Sequence, residues 1–210
     1  MLSEQEIRNS TIRLLDNTFN EFIIRMSKLP DFKTCMTYLS KEKRDQKVDQ
    51  EYVLKFFAYK NDRENYRKDI APFLTNYMEK VSYSHIETKE KCLQFDYAEE
   101  EKVFRKTFAV LSQALGKNAF ARVNENNNFV VSLSPNHFDA FTMGIQYYLN
   151  RLDSEDKEQM RYFGELLKSI KSDKAFLEVA SGGGKNTANF LERRIQVVKQ
   201  RVGEWFDRRQ

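Results

Sequence analysis

Glycine and proline are scarce in this sequence, with 7 Gly and 3 Pro among 210 residues. Collagen-like, mucin-like and disordered chains contain far more of these residues, so those classes are excluded. The 17 Phe and 10 Tyr also supply the apolar surface that a disordered chain lacks. Because Gly and Pro interrupt helices, their scarcity beside many Glu, Lys, Leu and Phe residues favours long helices around a hydrophobic core.

Cysteine and histidine are rare as well. Cys35 and Cys92 are the two cysteines, no Cys-x-x-Cys motif occurs, and the start lacks the pattern of a secretory leader. We therefore expect reduced thiols in a cytoplasmic protein. His85 and His137 stand apart, without the clustered ligands that metal sites or Cys–His catalysis need. The sequence predicts no metal site, no cofactor and no catalytic residue, and it places His137 in the first turn of a helix.

Long hydrophobic runs are absent, because Lys, Arg or Glu interrupts every apolar stretch well before the roughly 18 residues that a membrane-spanning helix needs. No membrane partner is therefore expected. The 35 Lys and Arg residues against 31 Asp and Glu leave a formal net charge of +4. So small an excess neither requires nor excludes binding to nucleic acid.

Apolar residues recur at helical spacing along most of the chain. Ser3 followed three residues later by Glu6 forms a capping box, so a helix begins almost at once and a second stretch ends near Pro30. Further helices are predicted over 31–39, 49–61, 66–81, 95–115, 134–152, 153–170 and 186–206. The run 41–47 is charged and aperiodic, which predicts a solvated connection.

The pattern changes between residues 119 and 133, where two short apolar runs flank the Asn-rich segment 124–128. Asn tolerates positive φ, so a small β-hairpin is one prediction here and a structured loop without paired strands is the other. The whole pattern predicts an all-α fold, a multi-helix orthogonal bundle of roughly eight helices. We expect either one helical domain over 1–210 or two packed helical layers, 1–115 and 134–210.

A glycine-rich segment, Ser181-Gly-Gly-Gly-Lys185, precedes the last predicted helix. Glycine amides, a helix N-terminus and a lysine charge together favour anions. The candidate anion-binding residues are Gly183, Gly184 and Lys185. A Walker A loop would need an earlier glycine and Lys followed directly by Ser or Thr, whereas Asn186 stands between Lys185 and Thr187. A flexible loop with Asn186 or Thr187 as the helix cap is the alternative interpretation.

The last predicted helix carries more basic than acidic side chains. Phosphate contacts require basic residues on one face of a helix. The candidates for nucleic-acid contact are Arg193, Arg194, Lys199 and Arg201. Acidic residues are interspersed among them, so a solvated helix face is the other interpretation.

Three segments resemble successive blocks of one protein family. They are residues 2–9 (Leu-Ser-Glu-Gln-Glu-Ile-Arg-Asn), 48–59 (Val-Asp-Gln-Glu-Tyr-Val-Leu-Lys-Phe-Phe-Ala-Tyr) and 73–78 (Phe-Leu-Thr-Asn-Tyr-Met). In this order and spacing they resemble the helical portion of the GmrSD restriction endonuclease N-terminal domain family, a ParB/sulfiredoxin-like group. Lys55 departs from the pattern, because the family more often has Arg there.

The resemblance implies a bacterial defence protein that senses DNA modification. In the family the first block follows a ParB-like half, whose Asp-Gly-Gln-Gln-Arg motif is associated with nucleotide hydrolysis, and many relatives carry an HNH nuclease further downstream. This sequence contains neither part, so we expect it to lack both activities. Because the first block adjoins the nucleotide-handling half, Gln5, Arg8 and Asn9 are candidates for closing that nucleotide site. Docking of one half against the other by these side chains is the alternative.

The leading hypothesis is that the chain is the non-catalytic helical part of a GmrSD-like protein, truncated or cut from a longer one. It would support the missing ParB-like half, its expected partner, and contact DNA. One alternative is an NTP-hydrolysing enzyme that uses the loop 182–185. The other is a helical protein-interaction module without nucleic-acid contact.

Overall fold

The computed structural model describes residues 3–13, 17–82 and 93–209. Across these residues the protein is 74% helical and has eleven helices, nine of them with seven or more residues, and one two-stranded antiparallel sheet. The all-α prediction is confirmed. No helix in these ranges is long and apolar enough to cross a membrane.

The helices are α1 (Glu4–Arg13), α2 (Asn17–Ser27), α3 (Pro30–Cys35), α4 (Lys41–Asp45), α5 (Val48–Asn61), α6 (Ile70–Ser82), α7 (Tyr97–Leu115), α8 (Pro135–Gly144), α9 (Lys157–Ser172), α10 (Lys174–Ala180) and α11 (Ala188–Asp207). The strands are β1 (Arg122–Val123) and β2 (Phe129–Val130). Segments of 3₁₀-helix cover Arg63–Asn65, Gly116–Asn118 and Ile145–Arg151.

The contacts within the chain divide it into two compact units. Unit 1 comprises Met1–Leu29 and Leu39–Phe104, and unit 2 comprises Pro30–Tyr38 and Arg105–Gln210. The boundary at residue 104 falls inside α7, which contributes residues to both units. The expectation of one domain or of two layers split near residues 115 and 134 stays a prediction.

Unit 1 has an aromatic core. The ring of Phe57 on α5 lies 5.3 Å from Phe22 on α2, 5.3 Å from Phe95 and 5.4 Å from Phe104 on α7, measured between centroids. The three pairs are tilted, edge-to-face and stacked, and rings at these distances attract each other beyond the effect of their burial. Phe22 belongs to the apolar stripe that the sequence predicts for α2, and it is buried as predicted.

Unit 2 brings α8 and α11 into unusually close contact. A Cβ atom built on Gly144 of α8 would lie only 2.6 Å from Cβ of Val198 on α11. A glycine at this position therefore allows the two helices to approach each other. Nearer the start of α8, the Phe138 ring packs 4.9 Å from the Phe120 ring, which precedes β1.

The hairpin predicted near 119–133 is confirmed. Its register pairs Arg122 with Val130 and Val123 with Phe129. Beyond the strands, the Asn124 amide donates to the Asn128 carbonyl at 2.9 Å, and the Asn128 amide donates to Oδ1 of Asn124 at 2.9 Å. Asn127 adopts a φ of 58°, the left-handed conformation that Asn tolerates in such turns.

Several predicted elements differ from the structure: α6 begins at Ile70, α8 gives way to 3₁₀-helix after Gly144, and α10 was not predicted. Two further differences have a clear cause. The run 41–47, predicted as a connection, contains α4, because Ser40 caps it by accepting from the Lys43 amide. A single exposed turn of helix needs no apolar stripe, so periodicity could not reveal it. Similarly, α9 begins after Asp156, which accepts from the Gln159 amide, rather than directly after Asp153.

Candidate functional site

The three candidates in the first block lie in a buried polar network of unit 1, which we call the Arg8 network. Arg8 is 4% exposed, and its Nη1 donates to Oε2 of Glu51 at 2.9 Å and to Oε1 of Gln5 at 3.1 Å. Its Nε donates to Oγ1 of Thr75 at 3.1 Å, and its Nη2 donates to the Ala71 carbonyl at 3.3 Å. One guanidinium therefore joins α1 to both α5 and α6.

Gln5 and Asn9 extend the Arg8 network. Nε2 of Gln5 donates to Oδ1 of Asn9, and Nδ2 of Asn9 donates to Oε1 of Gln50 on α5, both at 2.8 Å. All three side chains are buried. The structure thus brings the three candidates together and engages their polar atoms with helices of the same unit. Their part in closing a nucleotide site stays a prediction.

The glycine-rich segment connects α10 to α11, and a side chain at its end contacts each of the two helices. Nζ of Lys185 donates back to the carbonyl of Glu178 in the last turn of α10. Thr187 caps α11 by accepting from the Phe190 amide at 3.5 Å, as the alternative interpretation of this loop predicted. Gly183 and Gly184 are exposed. Anion binding by this loop stays a prediction, but the lysine already has a protein partner.

Arg194 is one of the four nucleic-acid candidates, and it lies in the interior of unit 2. Arg194 is 2% exposed. Its Nη1 lies 3.4 Å from Oδ2 of Asp139 on α8, and the same Nη1 donates to Oδ1 of Asn136. Its Nη2 donates to the Lys185 carbonyl. Because this guanidinium fastens α8 to the end of the glycine-rich loop, its charge is poorly placed for a phosphate at the surface.

The other three candidates on α11 are nearer the surface. Arg201 pairs with Asp173 at 2.7 Å and with Glu204 at 3.1 Å. Arg193 and Lys199 form no ion pair among the residues that the structure describes, and each lies over an aromatic ring. Six positions of α-helix separate these two by about 120° around the axis, so they do not share one face of α11.

Unit 2 also contains a cleft that the sequence did not predict. Its volume is about 1110 Å³, and it lies among the hairpin, the end of α9, the start of α10 and the start of α8. We call it the hairpin cleft. The residues that line it include Arg122, Asn124, His137, Ser169, Lys171 and Ser181.

Lys171 is a fully buried lysine on one wall of the hairpin cleft. Its Nζ donates to three carbonyls, those of Asn118 at 2.9 Å, Ala119 at 2.7 Å and Ala121 at 2.8 Å. Burial lowers the pKa of Lys171 well below its ordinary value. The three carbonyls occupy all three N–H groups of the ammonium, which therefore fixes the segment before β1.

His137 lies in the first turn of α8, as predicted, and lines the hairpin cleft. It is 1% exposed, its Nδ1 lies 2.9 Å from Oγ of Ser134, and its Nε2 has no hydrogen-bond partner in the described structure. Burial lowers the pKa of His137 to about 3, and the charges of Lys171, Arg122 and Arg194 act in the same direction. The imidazole is therefore neutral near pH 7.

No local signal in the sequence could have revealed the hairpin cleft. Arg122, His137 and Lys171 come from the hairpin, α8 and α9, and only the tertiary fold brings them together. Within the described ranges, no group of three or more His, Cys, Asp or Glu side chains could hold a metal ion. His85 and Cys92 lie outside those ranges.

Comparison with known proteins gives no match: no family model, no curated protein and no solved structure is significantly similar to this chain.

Proposed function

We propose that this chain is the non-catalytic helical part of a GmrSD-like bacterial defence protein and that it serves as a scaffold for a ParB-like, nucleotide-handling partner. The observation that supports this proposal is the composition of the Arg8 network. Its side chains come from all three blocks that carry the family resemblance: Gln5, Arg8 and Asn9 from the first, Gln50 and Glu51 from the second, and Thr75 from the third.

A scaffold role explains why these polar residues stand where they do. Three hydrogen bonds of one guanidinium, to Glu51, Thr75 and the Ala71 carbonyl, hold α1 against α5 and α6. Such a network fixes the orientation of α1 because each bond has a defined direction. The opposite face of α1 exposes Ile7, an apolar side chain suited to contact with a partner.

The binding of a partner tests the scaffold proposal directly. The ParB-like half of a GmrSD-type protein, expressed separately, is titrated with the purified chain in a calorimeter, and a one-to-one complex is expected. Ile7→Asp should weaken this complex, because it places a charge on the outer face of α1. Val131→Asp is the matched control, since Val131 is an exposed apolar residue of unit 2. Absence of a complex, or equal weakening by both variants, would contradict the proposal.

The absence of catalysis is tested on the same preparation. The chain should not hydrolyse ATP or GTP, because the Lys185 ammonium is bonded to the Glu178 carbonyl of its own unit. Turnover that disappears in Lys185→Ala would favour the NTP-hydrolysing alternative instead.

The proposal includes contact with DNA through unit 2. Arg193 and Lys199 are the residues to vary, since Arg194 is buried and its replacement would disturb the fold. In a mobility-shift series over salt concentration, Arg193→Glu with Lys199→Glu should weaken binding and reduce the salt slope by about 1, because the two side chains lie on different faces of α11 and only one of them contacts a phosphate. Lys41→Glu with Lys43→Glu makes the same change in net charge on α4 and should alter binding less. Equal effects of both pairs would indicate attraction by net charge alone.

A further inference from the structure

We propose that the hairpin cleft binds the phosphate group of a small organic phosphate ester, about the size of a mononucleotide, with the Nε2–H of His137 as the buried donor and the Arg122 guanidinium at the rim. This site lies wholly within unit 2 and does not include the anion-binding candidates Gly183, Gly184 and Lys185. It therefore does not depend on the scaffold role proposed for unit 1.

The hydrogen bonds around Ser134 are compatible with the tautomer of His137 that carries its hydrogen on Nε2. Oγ of Ser134 accepts from the His137 amide at 3.4 Å as the cap of α8, and it lies 2.9 Å from Nδ1 of the same histidine. Nδ1 is the acceptor within reach for the single hydroxyl hydrogen of Ser134. When Ser134 donates to Nδ1 of the neutral ring, the ring hydrogen is on Nε2.

Nε2 is then a buried donor without a partner in the described structure. Such a group is rare in folded proteins, because burial removes it from water without replacing the lost hydrogen bond. An acceptor oxygen of a ligand in the hairpin cleft would restore the missing bond. A functional role is one of the explanations for such a group in a native structure, beside strain and a bound water or ion.

The charges around His137 favour an anion as that ligand. The guanidinium groups of Arg122 and Arg194 disfavour a positive charge on the ring, so the potential at His137 is positive. Of the two acidic residues in the lining, Asp173 is paired with Arg201 at 2.7 Å. The other, Glu125, is exposed in the hairpin turn. A negatively charged oxygen beside Nε2 would therefore be stabilised.

The size and walls of the hairpin cleft indicate an organic ester rather than the bare ion. Its volume of about 1110 Å³ is far larger than a phosphate ion, and it is comparable with sites for drug-sized ligands. Val123, Val130 and Leu177 give it apolar surface for the organic part. Ser181 provides a hydroxyl group that can donate to a further phosphate oxygen.

The test measures binding to the full chain by NMR. AMP, glucose 6-phosphate, inorganic phosphate and adenosine are titrated separately while the imidazole signals of His137 are followed. At least one of the two esters should shift these signals saturably, more tightly than inorganic phosphate, and adenosine should leave them unchanged. Failure of both esters at millimolar concentration would overturn the proposal. Equal affinity for inorganic phosphate, or binding of adenosine, would also overturn it.

Three variants connect binding to the named groups. His137→Phe keeps an aromatic ring beside Phe176 but removes the donor, and Arg122→Gln removes the rim charge. Each should weaken ester binding about tenfold, as expected for the loss of one hydrogen bond to a charged group. Lys117→Gln changes an exposed charge that does not line the cleft and should bind like the wild type. Wild-type affinity in Arg122→Gln, whose exposed side chain leaves the core intact, would refute the assignment even if His137→Phe did not fold.

Discussion

Arg8 and Glu51 form an ion pair with 2.9 Å between Nη1 and Oε2, and the two side chains differ sharply in exposure, 3% for Arg8 and 30% for Glu51. The guanidinium is therefore inside unit 1 while the carboxylate reaches its edge. Since the other N–H groups of Arg8 donate to protein acceptors on α1 and α6, the pair is one part of a cooperative network rather than an isolated contact.

Replacing Arg8 with methionine should destabilise unit 1 by about 3 kcal/mol, because the buried acceptors lose their donor while the apolar stem remains. The free energy of unfolding in urea measures the change. Arg25→Met is the matched control, since Arg25 pairs with Glu101 at 2.6 Å but is 58% exposed. The control should cost about 0.5 kcal/mol. Similar losses in both variants would show that the Arg8 network contributes no more than a surface ion pair.

Much of the fold could be predicted because its signals are local. Ser134 before Pro135 marks the start of α8, and Thr187 was one of the two caps expected for α11. A cap and the residue that it bonds lie within one turn, so the sequence contains the whole interaction. The single exposed turn of α4 could not be predicted in this way, because it has no apolar face.

The sites depend on distant residues and were less predictable. The resemblance indicated Gln5, Arg8 and Asn9, but their partners on α5 and α6 lie more than forty positions away. The same limitation explains why the burial of Arg194 was not predicted, since in sequence it resembles the other basic residues of an exposed helix. Its burial follows from contact with Asp139, 55 positions earlier, and no spacing within α11 reveals that contact.

Arg194 and its neighbour Arg193 should respond differently to the same substitution. Arg194→Met removes the guanidinium that lies 3.4 Å from the buried Asp139 carboxylate and should lower the free energy of unfolding by about 3 kcal/mol. It should also speed cleavage of the glycine-rich loop by trypsin, because the Lys185 carbonyl loses its donor. Arg193→Met, at an exposed position, should change stability by less than about 0.5 kcal/mol. Comparable destabilisation by the two variants would contradict the buried position of Arg194.

The stability of the protein should depend on pH through His137. Its folded pKa of about 3 is below the ordinary value of 6.5, so between these values the unfolded chain binds more protons than the folded one. Stability therefore rises with pH through this window and is lost on acidification below pH 6.5.

His137→Phe should make the profile less steep by up to about 1.4 kcal/mol per pH unit. Urea unfolding at several pH values measures the slopes, and Lys117→Gln should keep the wild-type slope. Parallel profiles for wild type and His137→Phe would disprove the linkage.

The close contact of α8 with α11 should not tolerate a methyl group at Gly144. A Cβ there would lie 2.6 Å from both Cβ and Cγ1 of Val198 and 3.2 Å from the Ile195 carbonyl. Gly144→Ala should therefore lower the free energy of unfolding by about 2 kcal/mol, the usual cost of overpacking a core. Gly183→Ala is the control, since nothing lies within 4 Å of a Cβ at that exposed glycine.

A second substitution separates steric overlap from any other effect of the alanine. Val198→Gly removes both contacting atoms of Val198, so Gly144→Ala in that background should cost at least about 1 kcal/mol less than in the wild type. The two single variants and the double variant form a thermodynamic cycle in which the intrinsic cost of glycine in α11 cancels. If Gly144→Ala costs as much with Gly at position 198 as with Val, the contact between these two residues does not set the distance between α8 and α11.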